Sequence, residues 1–128
     1  MALREVLEIM VVDDMSTSRG MLVQALDVMG VLHVRHAPDG NAALRALWRR
    51  PAHLVISDFC MPGMDGLQLL QALRQDPGLG ATAFILISGR AEPHVIAAGR
   101  VLGMNQFLAK PFAILDLQKV IESVVGRL

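Results

Sequence analysis

Asp13, Asp14 and Asp58 are the residues of this 128-residue chain whose type and spacing point most directly to chemistry. Each follows a short apolar run: Asp13 and Asp14 in Val-Val-Asp-Asp-Met, Asp58 in Val-Ile-Ser-Asp-Phe. Ser88, in Leu-Ile-Ser-Gly, and Lys110, in Leu-Ala-Lys-Pro, follow two further runs in the same way. Three carboxylates in one crevice repel each other by about 4 kcal/mol per pair, at ~4 Å and an effective dielectric of about 20. Lys110 supplies one compensating charge. Carboxylate oxygens suit a hard divalent cation, and Mg²⁺ takes one or two of them while leaving positions for phosphate oxygens. A carboxylate, an ammonium, a hydroxyl and Mg²⁺ are the parts of a phosphoryl-transfer site, whose work is positioning and charge stabilisation. A carboxylate can itself be the acceptor, as an acyl phosphate. Taken singly, each residue has a plainer explanation as a helix cap, a turn residue or a loop lysine. Four of five apolar runs ending in a residue of the right type favour a shared site.

The elements that must bring them together can be read from the same rows. The apolar runs are Ile9–Val12, Val31–Val34, Leu54–Ile56, Ala83–Ile87 and Gln106–Ala109. Most are rich in Val, Ile and Leu without polar alternation, which suits strands covered on both faces. Helical patterns lie between and after them, at Ser18–Met29, Asn41–Arg50, Leu67–Gln75, Pro93–Leu102 and Ala113–Leu128. In the last, Ile114, Leu117, Ile121, Val124 and Leu128 form one stripe; Leu67, Leu70 and Leu73 do so in the third. Gly30, Pro38-Asp39-Gly40, Pro62-Gly63 and Gly103 mark breaks. Ser16 or Thr17 is expected to cap the first helix, and Asp39 the second. Five βα units predict a parallel sheet with helices on both faces. Residues at the carboxyl ends of its strands then share one crevice, where open α/β sheets collect ligands. The second strand brings no such residue and is expected at the edge, giving the order 2-1-3-4-5.

Bulk properties narrow the function. The length is that of one domain. With 53% hydrophobic and 19% charged residues, the chain can bury a large core and is not disordered. A formal net charge of zero gives no general attraction to nucleic acid or anionic membrane. A lone cysteine, Cys60, cannot form an internal disulfide and fits a reducing compartment. Glu5 and Glu8 interrupt the apolar N-terminus, against a signal peptide. No apolar run approaches the ~20 residues of a membrane span. The expectation is a cytoplasmic protein without nucleic-acid or membrane partners.

Other signals favour structural roles. His33 and His36, three apart on a strand, point to opposite faces and cannot share a metal. Arg45, Arg49 and Arg50 with Trp48 read as a solvated helix end. The methionines read as core filler, although Met15, Met61 and Met64 flank the acidic residues.

The segments Val11-Val12-Asp13-Asp14-Met15-Ser16-Thr17-Ser18-Arg19 and Ile56-Ser57-Asp58-Phe59-Cys60-Met61-Pro62-Gly63-Met64-Asp65-Gly66, with Ser88 and Lys110-Pro111, resemble the receiver domain of bacterial two-component response regulators. Within that family the nearest likeness is to the stand-alone chemotaxis regulators of the CheY kind. The resemblance covers essentially the whole chain, 1–128, as a single receiver domain with no output domain. It implies a flavodoxin-like (βα)5 three-layer sandwich. It implies Asp58 as the phosphoacceptor, and Asp14, Asp58 and the Cys60 backbone carbonyl as direct Mg²⁺ ligands, with Asp13 acting through a metal-bound water. Ser88 and Lys110 would bind phosphoryl oxygens, Phe107 would be the aromatic switch residue, and the Lys110-Pro111 bond would be cis.

The chain departs from the most familiar members at three positions. Phe107 replaces a tyrosine and has no hydroxyl to donate. Cys60 stands where an asparagine is familiar, and Arg90 where an acidic residue is. Both resemble positions that tune dephosphorylation, so an altered phosphoryl lifetime is expected. Gly89 is small, as access to the phosphoryl group requires. Phosphorylation would draw Ser88 inward, let Phe107 rotate into the vacated space, and reshape the face made by the fourth helix, fifth strand and fifth helix. The partners implied are a phosphohistidine kinase and a flagellar motor switch protein, with the receiver itself monomeric. Its phosphoryl acceptance and loss would be self-catalysed, not the turnover of an enzyme. A phosphate sink or relay intermediate is an alternative, and a Mg²⁺-dependent phosphohydrolase of similar fold a weaker one.

Overall fold

Ile9 and Val11 of β1 (Glu8–Val12) pack into one apolar cluster and Met10 and Val12 into another, all four buried. Alternate residues of a strand point to opposite faces, so β1 must be covered on both. In the computed structural model, which describes residues 1–128, the same division runs through the two other central strands. In β3 (Leu54–Asp58), Leu54 and Ile56 join Ile9, while Val55 joins Met10. In β4 (Ala83–Ser88), Ile85 and Ile87 face the first cluster, and Phe84 and Leu86 the second.

All strands are parallel, in the order β2-β1-β3-β4-β5, with β2 (His33–Ala37) and β5 (Gln106–Ala109) at the edges. The first cluster is closed by Leu22, Ala25 and Leu26 of α2 (Ser16–Val28) and by Leu117 and Ile121 of α6 (Ile114–Val125). The second is closed by Leu44 and Leu47 of α3 (Gly40–Arg49), by Leu69, Leu70 and Leu73 of α4 (Gly66–Gln75), and by Val95 of α5 (Pro93–Val101). This is the expected flavodoxin-like three-layer sandwich. Burying one such leucine contributes about 1.5–3 kcal/mol, so these two layers hold the strand ends in place. The register pairs Val12 with Ser57, Asp58 with Ile87 and Ser88 with Ala109. Asp13, Asp58, Ser88 and Lys110 therefore stand along one edge.

The structure corrects several expectations. A short helix, α1 (Leu3–Val6), precedes the sheet. Four residues carry too little periodicity to announce it. The second strand begins at His33, not Val31; Val31 is buried in the turn from α2, its amide bonded to Leu26 O. Burial of that side chain, rather than strand pairing, accounts for its apolar character. Neither Ser16 nor Thr17 caps α2. Met15 holds the cap position without a side-chain bond, and the carboxylate of Asp13 receives the Met15 amide instead. Asp39 does cap α3, accepting from Ala42 N at 2.8 Å. The α6 stripe is shorter than its periodicity suggests. Ile114 is exposed, and the helix stops at Gly126, whose φ of 99° requires the left-handed region. Met10, Met61 and Met104 are buried as core filler, whereas Met15 and Met21 are exposed. Trp48 is exposed but donates to Asp76 Oδ2 at 2.7 Å. No helix is long and apolar enough to cross a membrane.

Candidate functional site

Asp13 and Asp58 lie at the ends of adjacent strands, and parity gives them a common face. Asp13 continues the phase of Ile9 and Val11, and Asp58 that of Leu54 and Ile56. Both are buried, and Asp14, one residue later, is exposed. One carboxylate oxygen of each of the three lies within 4.8 Å of the others. Lys110, after β5, reaches into this group with its Nζ 3.1 Å from Asp58 Oδ1 and 3.6 Å from Asp13 Oδ2. The Lys110-Pro111 peptide bond is cis. Lys110 N donates to Ser88 O at 2.8 Å, which ties the lysine's backbone to the end of β4.

The local fold fixes these groups. Asp13 Oδ1 accepts the Met15 amide at 3.0 Å, and Arg19 Nη1 donates to Asp13 O at 2.9 Å. Asp13 is thus held from both its side chain and its backbone by the start of α2. Behind Asp58, the N-terminus of α4 comes very close. A Cβ added at Gly66 would lie 2.6 Å from Asp58 O and 2.6 Å from Leu86 Cδ1. Only glycine permits that approach, and Gly66 N donates to Phe59 O at 2.9 Å to secure it. Asp65 and Gln68 complete the start of α4 as a reciprocal capping box.

Burial pushes the Asp58 carboxyl above its ordinary range. The hydrogen bond and charge of Lys110 oppose that shift, and the charges of Asp13 and Asp14 add to it. Asp13 Oδ2 is buried and accepts no hydrogen bond. An orphaned buried carboxylate oxygen beside two further carboxylates is a cluster short of positive charge. The donors are all hard oxygens, which suits Mg²⁺ or a similar ion over softer metals.

The other sequence candidates are spread around this cluster. Ser88 is buried one strand away, its hydroxyl accepting the Arg90 amide at 3.1 Å. It shares the phase of Phe84 and Leu86, which is also the face of Phe107. Phe107 is half-buried against that cluster, paired in register with Leu86. Cys60 is exposed in the loop after β3. The Arg90 side chain is 85% exposed and lies 3.8 Å from Glu92. A Cβ added at Gly89 would meet no atom within 4 Å beyond its chain neighbours.

One residue in the site drew no functional reading from the sequence. Ser18 Oγ accepts from Lys110 Nζ at 3.0 Å. The available signal was its place in the first turn of a helix that begins three residues after Asp13.

Comparison with known proteins gives this edge its context. Residues 9–122 match the family model described as the response regulator receiver domain. The chain belongs to that family. A relative from Rhizobium etli, described as "Probable chemotaxis protein CheY", is 39% identical over 128 residues, covering 100% of this chain and 99% of the relative. "Chemotaxis protein CheY-3" of Vibrio cholerae is 31% identical over 122 residues, covering 95% and 94%. Among solved structures, chemotaxis protein CheY4 of Vibrio cholerae superposes with a TM-score of 0.87 at 28% identity, over 93% of this receiver and 98% of that chain. The receiver is therefore a CheY-like response regulator, a signalling protein rather than an enzyme with external turnover. Receiver domains generally bind Mg²⁺ at an acidic pocket, and here an Asp cluster is present. Membership also implies a histidine kinase as phosphodonor.

Proposed function

We propose that Asp58 accepts a phosphoryl group from a phosphohistidine kinase and that the receiver works as a single-domain switch. The carrying observation is the convergence of three carboxylates within 4.8 Å of one another with Lys110 3.1 Å from Asp58. An Asp58 oxygen attacks the donor phosphorus, the new P–O bond forms as the P–N bond to histidine breaks, and the imidazole leaves. Asp14, Asp58 and the Cys60 carbonyl would hold Mg²⁺ directly, with Asp13 behind a water. Bound there, Mg²⁺ supplies charge neutralisation for the transferring phosphoryl oxygens. Lys110 holds one of those oxygens from the β5 side. Ser88 leaves the Arg90 amide to bind another.

The output follows from the shared face of Ser88 and Phe107. Inward movement of Ser88 opens space beside Leu86, and Phe107 turns into it. That reshapes the surface of α5, β5 and α6, the fourth helix, fifth strand and fifth helix of the (βα)5 pattern. Moving such an equilibrium from 1:99 to 99:1 takes about 5.5 kcal/mol. One or two charge-assisted hydrogen bonds at ~1.5–3 kcal/mol each, with repacking, approach that. The reading names a flagellar motor switch protein as the partner, in the cytoplasm. It draws on the chemotaxis relatives, which the chain matches over nearly their full length. Incubation with acetyl phosphate and Mg²⁺ should give one labile phosphoryl adduct by intact mass, absent in Asp58→Asn. Continued hydrolysis of a free phosphomonoester without an adduct would overturn the reading.

A further inference from the structure

Lys110 carries three N–H donors on a flexible four-carbon stem. Two of its neighbours are carboxylates of the acidic cluster: Asp58 Oδ1 lies at hydrogen-bond distance, 3.1 Å, and Asp13 Oδ2, at 3.6 Å, is an ion-pair partner only. The third is the neutral hydroxyl of Ser18 at 3.0 Å, the shortest of the three contacts. Ser18 is not a free surface serine. It sits in the first turn of α2, half-buried. That turn is bolted to Asp13 by the Met15 amide and by the Arg19 guanidinium, at 3.0 and 2.9 Å. The contacts therefore close a ring from Asp13 through α2 to Ser18, across to Lys110, and back to Asp13.

We propose that Ser18 is a positioning residue that holds the Lys110 ammonium at the place where a phosphoryl oxygen must be met. The inference rests on the phosphoryl-acceptor reading of the site. Without the hydroxyl, attraction to Asp13 and Asp58 draws the ammonium down between the two carboxylates. There it neutralises the ground state and is poorly placed for the incoming group. With the hydroxyl, one donor stays fixed on a rigid helix and the ammonium keeps its 3.6 Å separation from Asp13 Oδ2. Placement errors of this kind cost rate rather than binding. Ser18 and Lys110 also line a mostly apolar cavity of about 570 Å³ between α2 and the start of α6. It leaves room for a threonine methyl beside the hydroxyl.

The test compares Ser18→Ala and Ser18→Thr with the parent. In metal-free protein, the lysine-ammonium ¹⁵N signal of Lys110 should be slowly exchanging in the parent and in Ser18→Thr. It should broaden or disappear in Ser18→Ala. With Mg²⁺, the phosphorylation rate at saturating acetyl phosphate should fall about 5- to 10-fold in Ser18→Ala, the half-saturating donor concentration should barely move, and Ser18→Thr should recover it. In a Lys110→Met background, Ser18→Ala should have no further effect. An unchanged ammonium signal and rate in Ser18→Ala, or a full additive loss on top of Lys110→Met, overturns the proposal. Failure of the parent itself to take up a phosphoryl group would instead refute the acceptor reading.

Discussion

The Lys110 ammonium lies 3.1 Å from Asp58 Oδ1, so one positive charge is set against three carboxylates that gather within 4.8 Å. The cluster keeps a formal excess of negative charge. Lys110→Met removes the one cation paired with its carboxylate groups while keeping an apolar stem along the cavity wall. Mg²⁺ should then bind several-fold more tightly, on the order of 3- to 10-fold at low salt. Titration calorimetry with MgCl₂ measures this directly. Phosphorylation from acetyl phosphate should nevertheless slow, because the group proposed to meet a phosphoryl oxygen is gone. Weaker Mg²⁺ binding in the variant would show that Lys110 organises the carboxylates rather than competing with the ion.

The raised pKa of Asp58 has a consequence for stability. A carboxyl whose folded pKa exceeds its unfolded value binds its proton more tightly in the native state. Its contribution favours folding at acidic pH and is lost as pH rises from the ordinary carboxylate range through the elevated folded value. In chelator, Asp58→Asn should therefore unfold at higher temperature than the parent at pH 7, by a few degrees. The difference should shrink toward zero below about pH 4. Thermal unfolding followed by circular dichroism across that range checks both the sign and the window. Added Mg²⁺ should stabilise the parent more than the variant.

Gly66 offers a steric test of how α4 supports the site. A Cβ there meets Asp58 O and Leu86 Cδ1 at 2.6 Å and Phe59 Cα at 3.0 Å. Two of these are backbone atoms, which cannot swing aside. Gly66→Ala should cost about 2–3 kcal/mol in urea unfolding and should also weaken Mg²⁺ binding, because the Asp58 backbone must shift. A variant of parental stability would show that α4 moves away cheaply.

Arg74 should separate stability from chemistry. Its guanidinium donates to Gly80 O at 3.1 Å, Thr82 O at 2.6 Å and Gly103 O at 2.8 Å, joining the end of α4 to the starts of β4 and β5. Arg74→Met should lose about 2 kcal/mol of stability through those carbonyls. At a temperature where it remains folded, its phosphorylation should match the parent.

Cys60 and Arg90 bear on how long the phosphoryl group would last. Cys60 is exposed beside β3, and the Arg90 amide holds the Ser88 hydroxyl while its side chain reaches into solvent. Cys60→Asn and Arg90→Glu should each change the autodephosphorylation rate by more than about twofold, one charge-assisted contact being worth at least that. Rates equal to the parent's in both would remove these residues from lifetime control.

The sheet and the acidic edge were legible because both rest on periodic or local signals. Leu54, Val55 and Ile56 announce a strand buried on both faces, and an Asp directly after a strand can occupy only one edge of a parallel sheet. Gln106–Ala109 matched its strand end to end. What escaped notice depends on contacts distant in sequence. Ser18 and Lys110 are 92 positions apart, and their hydrogen bond exists only because α2 and the loop after β5 border the same edge. The missing Ser16 or Thr17 cap has a related cause. Asp13 takes the Met15 amide, so a residue read only as an outer partner of the metal also organises the helix start. Ile114 continues a helical stripe in sequence yet is exposed, lining the cavity between α2 and the start of α6 rather than the core.

The carboxylate of Asp58 is the proposed phosphoryl acceptor among the acidic residues of this edge. Borohydride reduction of the acetyl-phosphate-treated protein converts an aspartyl phosphate to homoserine, which peptide mass spectrometry can place. Homoserine is expected at position 58 alone, dependent on Mg²⁺. Homoserine at position 13 or 14, or none at any residue while the protein still takes up phosphate, would contradict it.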